Sequence, residues 1–232
     1  MKPLQKQTLV DQAVSGLMDY IHVNKLQPGA VLPGELQLAD TFGVSRPVVR
    51  EALRTLHGRA VVNLVSGKGA IVRPLDGKAF NDFFARAMAQ PDLETGLMME
   101  EARHGLETQC ALLAATRRTA EHVRQLEEIV VEMREVIGDK TAYWKLNLAF
   151  HRVIAEASGN HMLGLMVVSL QDAMDRVFTQ QGEEILVDRL WPAMHPLHEK
   201  IFEHIRAREP REAAMVTFEH LELAMQLMRR KR

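Results

Sequence analysis

The stretch Leu32–Leu56, LPGELQLADTFGVSRPVVREALRTL, decides the fold of the first third of the chain. It reads as helix, tight turn, helix. Glu35, after Gly34, opens the first helix, and Leu36, Leu38, Ala39 and Phe42 are its apolar positions. Gly43 stands where a helix C-terminus favours a left-handed residue, and Val44 packs into the corner. Ser45 is an N-cap, and Pro47 falls in the first turn, where a missing N–H costs little. The second helix, from Arg46, buries Val49, Ala52, Leu53 and Leu56 and turns Ser45, Arg46, Val48, Arg50 and Arg54 outward. Two short helices around a glycine-containing turn, the second basic at its start, are the helix-turn-helix arrangement. Such a helix enters the major groove N-terminus first. The competing reading at this point is a helical hairpin with a solvated basic face.

The flanks favour DNA. Ala60–Val65 and Ala70–Arg73 read as two short strands, joined through Ser66, Gly67, Lys68 and Gly69 as a basic hairpin tip, which is a wing. Upstream, Leu9, Ala13, Leu17 and Ile21 repeat at helical spacing, and Leu26-Gln27-Pro28-Gly29 closes that segment. LQPGAVLPGELQLADTFGVSRPVVREALRTL followed by GKGAIV resembles the winged helix-turn-helix of the GntR family of bacterial transcription regulators, over residues 8–74. Three departures stand out. The family usually has serine or alanine at Gly34, often has a DNA-touching basic residue at Leu36, and has a Gly-Leu pair where Ala60-Val61 stands. The resemblance implies a homodimer on a palindromic operator in double-stranded DNA. Its readers would be Ser45, Arg46, Val48, Arg50 and Arg54, with Gly67, Lys68 and Gly69 at the wing.

Charge divides the chain the same way. Residues 1–75 hold nine Lys and Arg against five Asp and Glu, a net of +4; residues 76–232 hold twenty against twenty-five, a net of −5. A basic first third beside an acidic remainder suits a nucleic-acid reader joined to something that is not one. Cys110 is the single cysteine, so an intrachain disulfide is excluded. No run approaches the ~20 apolar residues of a membrane span, and the start lacks a signal-peptide pattern, so no membrane partner and a cytoplasmic location are expected.

Beyond Arg73-Pro74-Leu75-Asp76-Gly77 the chain reads as helices only. The expected segments are Phe80–Met88 (stopped by Pro91), Leu93–Arg118, one from Thr119 to Ile137, one from Asp139 to Ala157, Met162–Thr179, Glu183–Ala207 and one from Pro210 to the basic end Arg229–Arg232. Leu97, Leu106, Cys110 and Leu113 mark the expected inner face of the second, and Pro192 and Pro196 are expected to interrupt the sixth. The terminal basic cluster reads as a solvated helix C-terminus. The fold class is therefore mainly α: a winged helix-turn-helix at 1–74, a linker at 75–79, and an all-α bundle of six or seven helices at 80–232.

In that bundle His151, His198 and His220 each have apolar neighbours three or four positions away, which turns them inward, and Asn147 lies four before His151. Three inward imidazoles need partners for their nitrogens. They are either hydrogen-bonded core residues or ligands of a divalent ion. AFHRVIAEASGN, LHEKIFEHI and AAMVTFEHL, with EARHGLETQCALLAA before them, are similar to the FCD ligand-binding domain of the FadR subfamily, over about residues 80–228. In metal-binding members an aspartate and three histidines hold the ion. By position these fall on Asn147, His151, His198 and His220, so Asn replaces Asp here. The implied cofactor is zinc, nickel or manganese. His195 is expected beside the site and His204 at the surface. Arg103 and Glu107, four apart, are a surface ion pair by spacing alone; the resemblance places an arginine near this position in the effector cavity, so both are expected effector-binding residues. Four neutral ligands would leave the ion's charge uncompensated and call for a small organic-acid effector, with Arg103 as a second anchor. The implied protein is a regulator of a metabolic operon. The alternative, a hydrolase-like metal enzyme, lacks a carboxylate at helical offset to the histidines, since Glu156, Glu199 and Glu219 do not share their faces.

Overall fold

The computed structural model describes residues 8–74, 77–87, 93–181 and 190–229. Leu75 and Asp76 of the expected linker, the stop at Pro91, the residues from Glu183 to Arg189 and the basic end Arg230–Arg232 lie outside them. The chain divides into two units, Met1–Ala79 and Phe80–Arg232.

The first unit holds α1 (Leu9–Val23), α2 (Glu35–Phe42), α3 (Arg46–Gly58), β1 (Val62–Val65) and β2 (Gly69–Val72). A capping box between Thr8 and Asp11 starts α1, each satisfying a backbone N–H near the other. Gly43, at φ +63°, ends α2 in the left-handed region and sends the chain into α3. Gly16 has a different role: a Cβ there would meet the Phe42 ring at 3.0 Å, so its small size lets the end of α2 approach α1. Leu17, Leu38, Val49, Ala52, Leu56 and Val62 form the core. Each fully buried leucine contributes about 1.5–3 kcal/mol relative to exposure.

The wing is shorter than its Val-rich sequence suggests. Ala60, at φ +60°, and Val61 close the end of α3, their N–H groups donating to the carbonyls of His57 and Leu56. They are committed to that turn, so β1 begins at Val62. It pairs antiparallel with β2, Val62 opposite Val72 and Val65 opposite Gly69.

The second unit is helical: α4 (Lys78–Ala87), α5 (Leu93–Arg117), α6 (Ala120–Glu135), α7 (Lys140–Ala157), α8 (His161–Gln181), α9 (Leu190–Ala207) and α10 (Pro210–Arg229). α4 already begins at Lys78, inside the segment expected as linker. Thr119 and Asp139 cap α6 and α7 through their side chains. α5 lies against α7 and α10, α9 against α6 and α10, and α6 against α7, around Leu126, Met133, Tyr143, Phe150, Ile154, Ile201 and Ile205. No helix among the described residues is long and apolar enough to cross a membrane.

Two expectations fail here. α9 runs unbroken through Pro192 and Pro196. Pro192 sits in the first turn, where its N–H would be unpaired anyway, and Pro196 forfeits one backbone bond. Burial of Trp191, Met194, His195 and His198 outweighs that loss. In α5 the buried line is Met99, Glu100, Arg103, Glu107, Cys110, Ala111 and Ala114; of the residues expected there only Cys110 is fully buried. Charged side chains can occupy this line because they satisfy one another.

Candidate metal centre and nucleic-acid interface

In the first unit, Ser45, Arg46, Arg50 and Arg54 are exposed on α3, as are Gly67, Lys68 and Gly69 at the hairpin tip. Ser45 takes the N-cap conformation but makes no side-chain capping bond. Val48 differs from expectation: it is half-buried and packs against the core. Two of the three arginines carry carboxylate partners. Arg50 donates from Nε and Nη2 to Glu35 at the start of α2, the closest contact 2.9 Å. That bond raises the Arg50 guanidinium and holds the Glu35 carboxyl below its ordinary value. Arg54 pairs with Glu51 at 2.7 Å. Arg46 makes no ion pair among the described residues, which leaves its fork oriented by α3 alone. Leu36 is 60% exposed, so the position where the resemblance expects a basic DNA contact is an outward aliphatic side chain.

In the second unit the three histidines converge. α7 supplies His151, α9 His198 and α10 His220, each at most 2% exposed. One nitrogen from each lies within 4.8 Å of the others. His151 Nε2 and His220 Nε2 are 3.2 Å apart, and His198 Nε2 lies 3.0 Å from Asn147 Oδ1. Two nitrogens each ~2.1 Å from one ion at a tetrahedral or octahedral angle are ~3.0–3.4 Å apart, so this spacing suits shared coordination. Tyr143, Asn147 and His151 follow each other at intervals of four along one face of α7, all buried.

The surrounding groups orient the rings. Glu107 Oε2 accepts from His151 Nδ1 at 2.8 Å, which turns His151 Nε2 toward the other imidazoles. His198 Nδ1 lies 3.2 Å from the Tyr143 hydroxyl, the ring also hydrogen-bonds the Met194 carbonyl, and Nε2 donates to the Asn147 amide oxygen at 3.0 Å, a proton that a bound ion would displace. The Tyr143 hydroxyl also lies 3.3 Å from His195 Nδ1, and His195 Nε2 is 3.4 Å from Glu199, which pairs with Arg134. His220 Nδ1 has no hydrogen-bond partner among the described residues. Burial, then the neighbouring imidazoles and Arg103, push His198 and His220 well below the ordinary histidine value. Both are neutral, and imidazole nitrogens converging with an amide oxygen are ordinary ligands for a divalent ion, which would displace the protons shared between them. The donor set therefore fits a divalent ion.

Arg103 and Glu107 are not a surface pair. They are 4% and 2% exposed, and Glu100, which the sequence reading passed over, is 2% exposed beside them. Arg103 Nε donates to Glu107 at 2.8 Å, Nη2 to Glu107 at 3.3 Å, and Nη1 to both Glu100 oxygens at 3.0 and 3.1 Å. Burial pushes the Glu107 carboxyl up, but Arg103 and His151 outweigh it and hold it well below the usual carboxylate range. The fork expected to clasp an effector is thus already engaged. The view that the histidines lack a carboxylate partner is also corrected: Glu107 reaches His151 from a different helix, a pairing no single-helix spacing displays. Glu156 and Glu219 are exposed, and Glu199 serves His195. His195 lies beside the site as expected, while His204 is half-buried and pairs with Glu209 at 2.7 Å. Tyr143 and Glu100 were missed. Their signals were the Tyr143–Asn147–His151 interval and the charged i, i+3, i+7 line of Glu100, Arg103 and Glu107.

Comparisons with known proteins agree with this division. Residues 9–72 match the bacterial regulatory proteins of the gntR family, and residues 99–223 match the FCD domain. The chain is 27% identical over 222 residues to the HTH-type transcriptional repressor NanR of Cronobacter sakazakii, covering 95% of this chain and 85% of that protein. It is 26% identical over 204 residues to the galactonate operon transcriptional repressor of Escherichia coli, covering 86% and 87%. Among solved structures it resembles the Streptococcus agalactiae GntR at TM-score 0.68 and 21% identity, covering 94% of this chain and 99% of that one. That likeness concerns the fold.

Proposed function

Since this chain belongs to the GntR family of bacterial regulatory proteins and carries an FCD domain after its winged helix, we propose that it represses a metabolic operon and is released from DNA by a small organic acid bound at a metal site in the helical unit. As a family member it is a DNA-binding transcription regulator and not an enzyme, so the hydrolase reading falls. The observation that carries the proposal is the meeting of three buried imidazoles with Asn147, in a chain that begins with a winged helix. His151, His198 and His220 hold zinc, nickel or manganese, with the Asn147 amide oxygen as a weaker, uncharged fourth ligand. When bound, such an ion supplies a positive centre for chelating carboxylate and hydroxyl oxygens. The relative named for the galactonate operon supports a sugar acid or hydroxy acid as the effector class. Effector and DNA must then have different affinities for the two states of the protein.

The direct test measures binding of the full-length protein to its own upstream DNA, stripped by chelator or metal-loaded, with a panel of organic acids. Release that requires both metal and acid is expected; equal release from stripped protein, or by a neutral or cationic effector, rejects the mechanism. Tyr143 bears on the same site. Tyr143→Phe removes the hydroxyl between His195 and His198 and is expected to lower metal affinity roughly tenfold to a hundredfold, as loss of groups that orient metal ligands does. Calorimetric titration with zinc checks it, and unchanged affinity assigns the hydroxyl to packing alone.

On DNA the reading is a homodimer, since one winged helix contacts too few base pairs for selectivity and two-fold pairing gives a palindrome. Arg46 and Arg50 read bases, Ser45 and Lys68 hold phosphate, and Val48, Arg54, Gly67 and Gly69 line the same surface. Arg46→Ala is expected to weaken operator binding by about 1–3 kcal/mol and to relax specificity at one base pair. Lys68→Ala should instead weaken all sequences alike and lower the salt slope. Fluorescence anisotropy on matched and single-mismatch duplexes separates the two; an Arg46→Ala protein with native operator affinity refutes the assignment.

A further inference from the structure

Glu100 is a buried carboxylate to which the reading above gives no task. Both its oxygens are on Arg103 Nη1, while Glu107 holds Nε and Nη2 of the same guanidinium and, through Oε2, the His151 ring. Among the described residues, Glu100, Arg103 and Glu107 are the only Asp, Glu, Lys or Arg that are fully buried. Glu199 and Arg134, beside His195, are partly exposed and pair with each other. The buried cluster that reaches His151 through Glu107 therefore holds two carboxylates and one guanidinium, a net of −1. Neutral imidazoles and the Asn147 amide add nothing, so a divalent ion brings the total to +1.

We propose that Glu100 sets the charge of the acid this site accepts, selecting organic acids with one carboxylate over those with two. The inference rests on the reading of an acid bound at a divalent ion. One carboxylate brings the buried total to zero. A second leaves an excess negative charge in an interior of low dielectric constant, which solvates it poorly. Without Glu100 the ion would leave +2, and a dianion would be the matching ligand. Glu100 thus supplies, through Arg103 and Glu107, the charge that a carboxylate at position 147 would have supplied directly. It also engages the Arg103 fork that could otherwise clasp a second carboxylate.

The test uses full-length protein stripped by chelator, reloaded with zinc and titrated calorimetrically with two matched pairs, gluconate against glucarate and lactate against malate. Within each pair the members differ by one added carboxylate. Native protein is expected to prefer the monoanion. In Glu100→Gln the ratio of affinities should move toward the dianion by roughly tenfold or more, the scale of one unit charge at partly screened range. Asn147→Asp adds a negative charge and should move it the other way, which keeps the inference testable if Glu100→Gln does not fold. A native preference for the dianion, or a ratio unmoved in the folded variants, overturns the inference while the metal–acid reading stands. Zinc-loaded protein that binds none of the four acids overturns both.

Discussion

His198→Ala is expected to abolish tight divalent-metal binding and effector response while the protein still binds DNA. His198 is fully buried and central: its ring centroid lies 4.3 Å from that of His220 and 5.6 Å from that of His151. Its Nε2 also hydrogen-bonds the Asn147 oxygen, so its removal takes one imidazole and unpairs the proposed fourth ligand. Structural zinc sites of four ligands bind with about 10–16 kcal/mol, so one lost ligand should weaken binding by at least a hundredfold. The winged helix has its own core of Leu17, Leu38, Val49 and Leu56, none of which the substitution touches. Chelator competition measures the metal, and anisotropy with a labelled operator measures the DNA. Native metal affinity in a folded His198→Ala protein would remove this histidine from the site, and loss of DNA binding at a temperature where the fold persists would show that the two functions are not separable.

Glu107→Ala should be the most destabilising single change in the helical unit. The carboxylate is buried and bonds two cationic or proton-donating partners, Arg103 and His151. Truncation leaves Arg103 with Glu100 alone and His151 Nδ1 with no acceptor. Breaking a buried pair in this way costs about 3–5 kcal/mol, which in a unit of this size lowers the melting temperature by roughly 6–20 °C. The sign with pH follows from the depressed carboxyl. A group that ionises more easily folded than unfolded contributes stability that is present above its unfolded value of about 4.3 and is lost as pH falls toward the folded value. Native protein should therefore lose stability steadily below about pH 4.5, and Glu107→Ala should flatten that slope. Scanning calorimetry of the full chain from pH 3 to 8 checks both. A melting temperature within a degree of native would mean that the network contributes nothing net.

The winged helix was legible in the sequence because its determinants are local. Gly43 is read from its place after an apolar helical repeat, Ser45 and Pro47 from their place before one, and the inward residues of α3 from spacing alone. The inward turn of His151, His198 and His220 was legible for the same reason: each sits on the apolar side of its own helix. The division between a basic reader and an acidic helical unit lay in the charge count. What only the tertiary structure decided is where side chains from different helices meet. Hydropathy put leucines on the inner line of α5, yet Glu100, Arg103 and Glu107 occupy it, because a charged group can be buried once its partners are buried with it. Glu107 on α5 bonds His151 on α7, and Tyr143 on α7 lies between two histidines of α9; no periodicity within one helix shows either. Proline in α9 reads as a break because of its missing N–H, a local loss of one bond, while the burial that outweighs it comes from neighbouring helices. Local rules set the elements and their inward faces; the charge and proton pattern of the site depends on long-range pairing, which a linear sequence carries only as residues far apart.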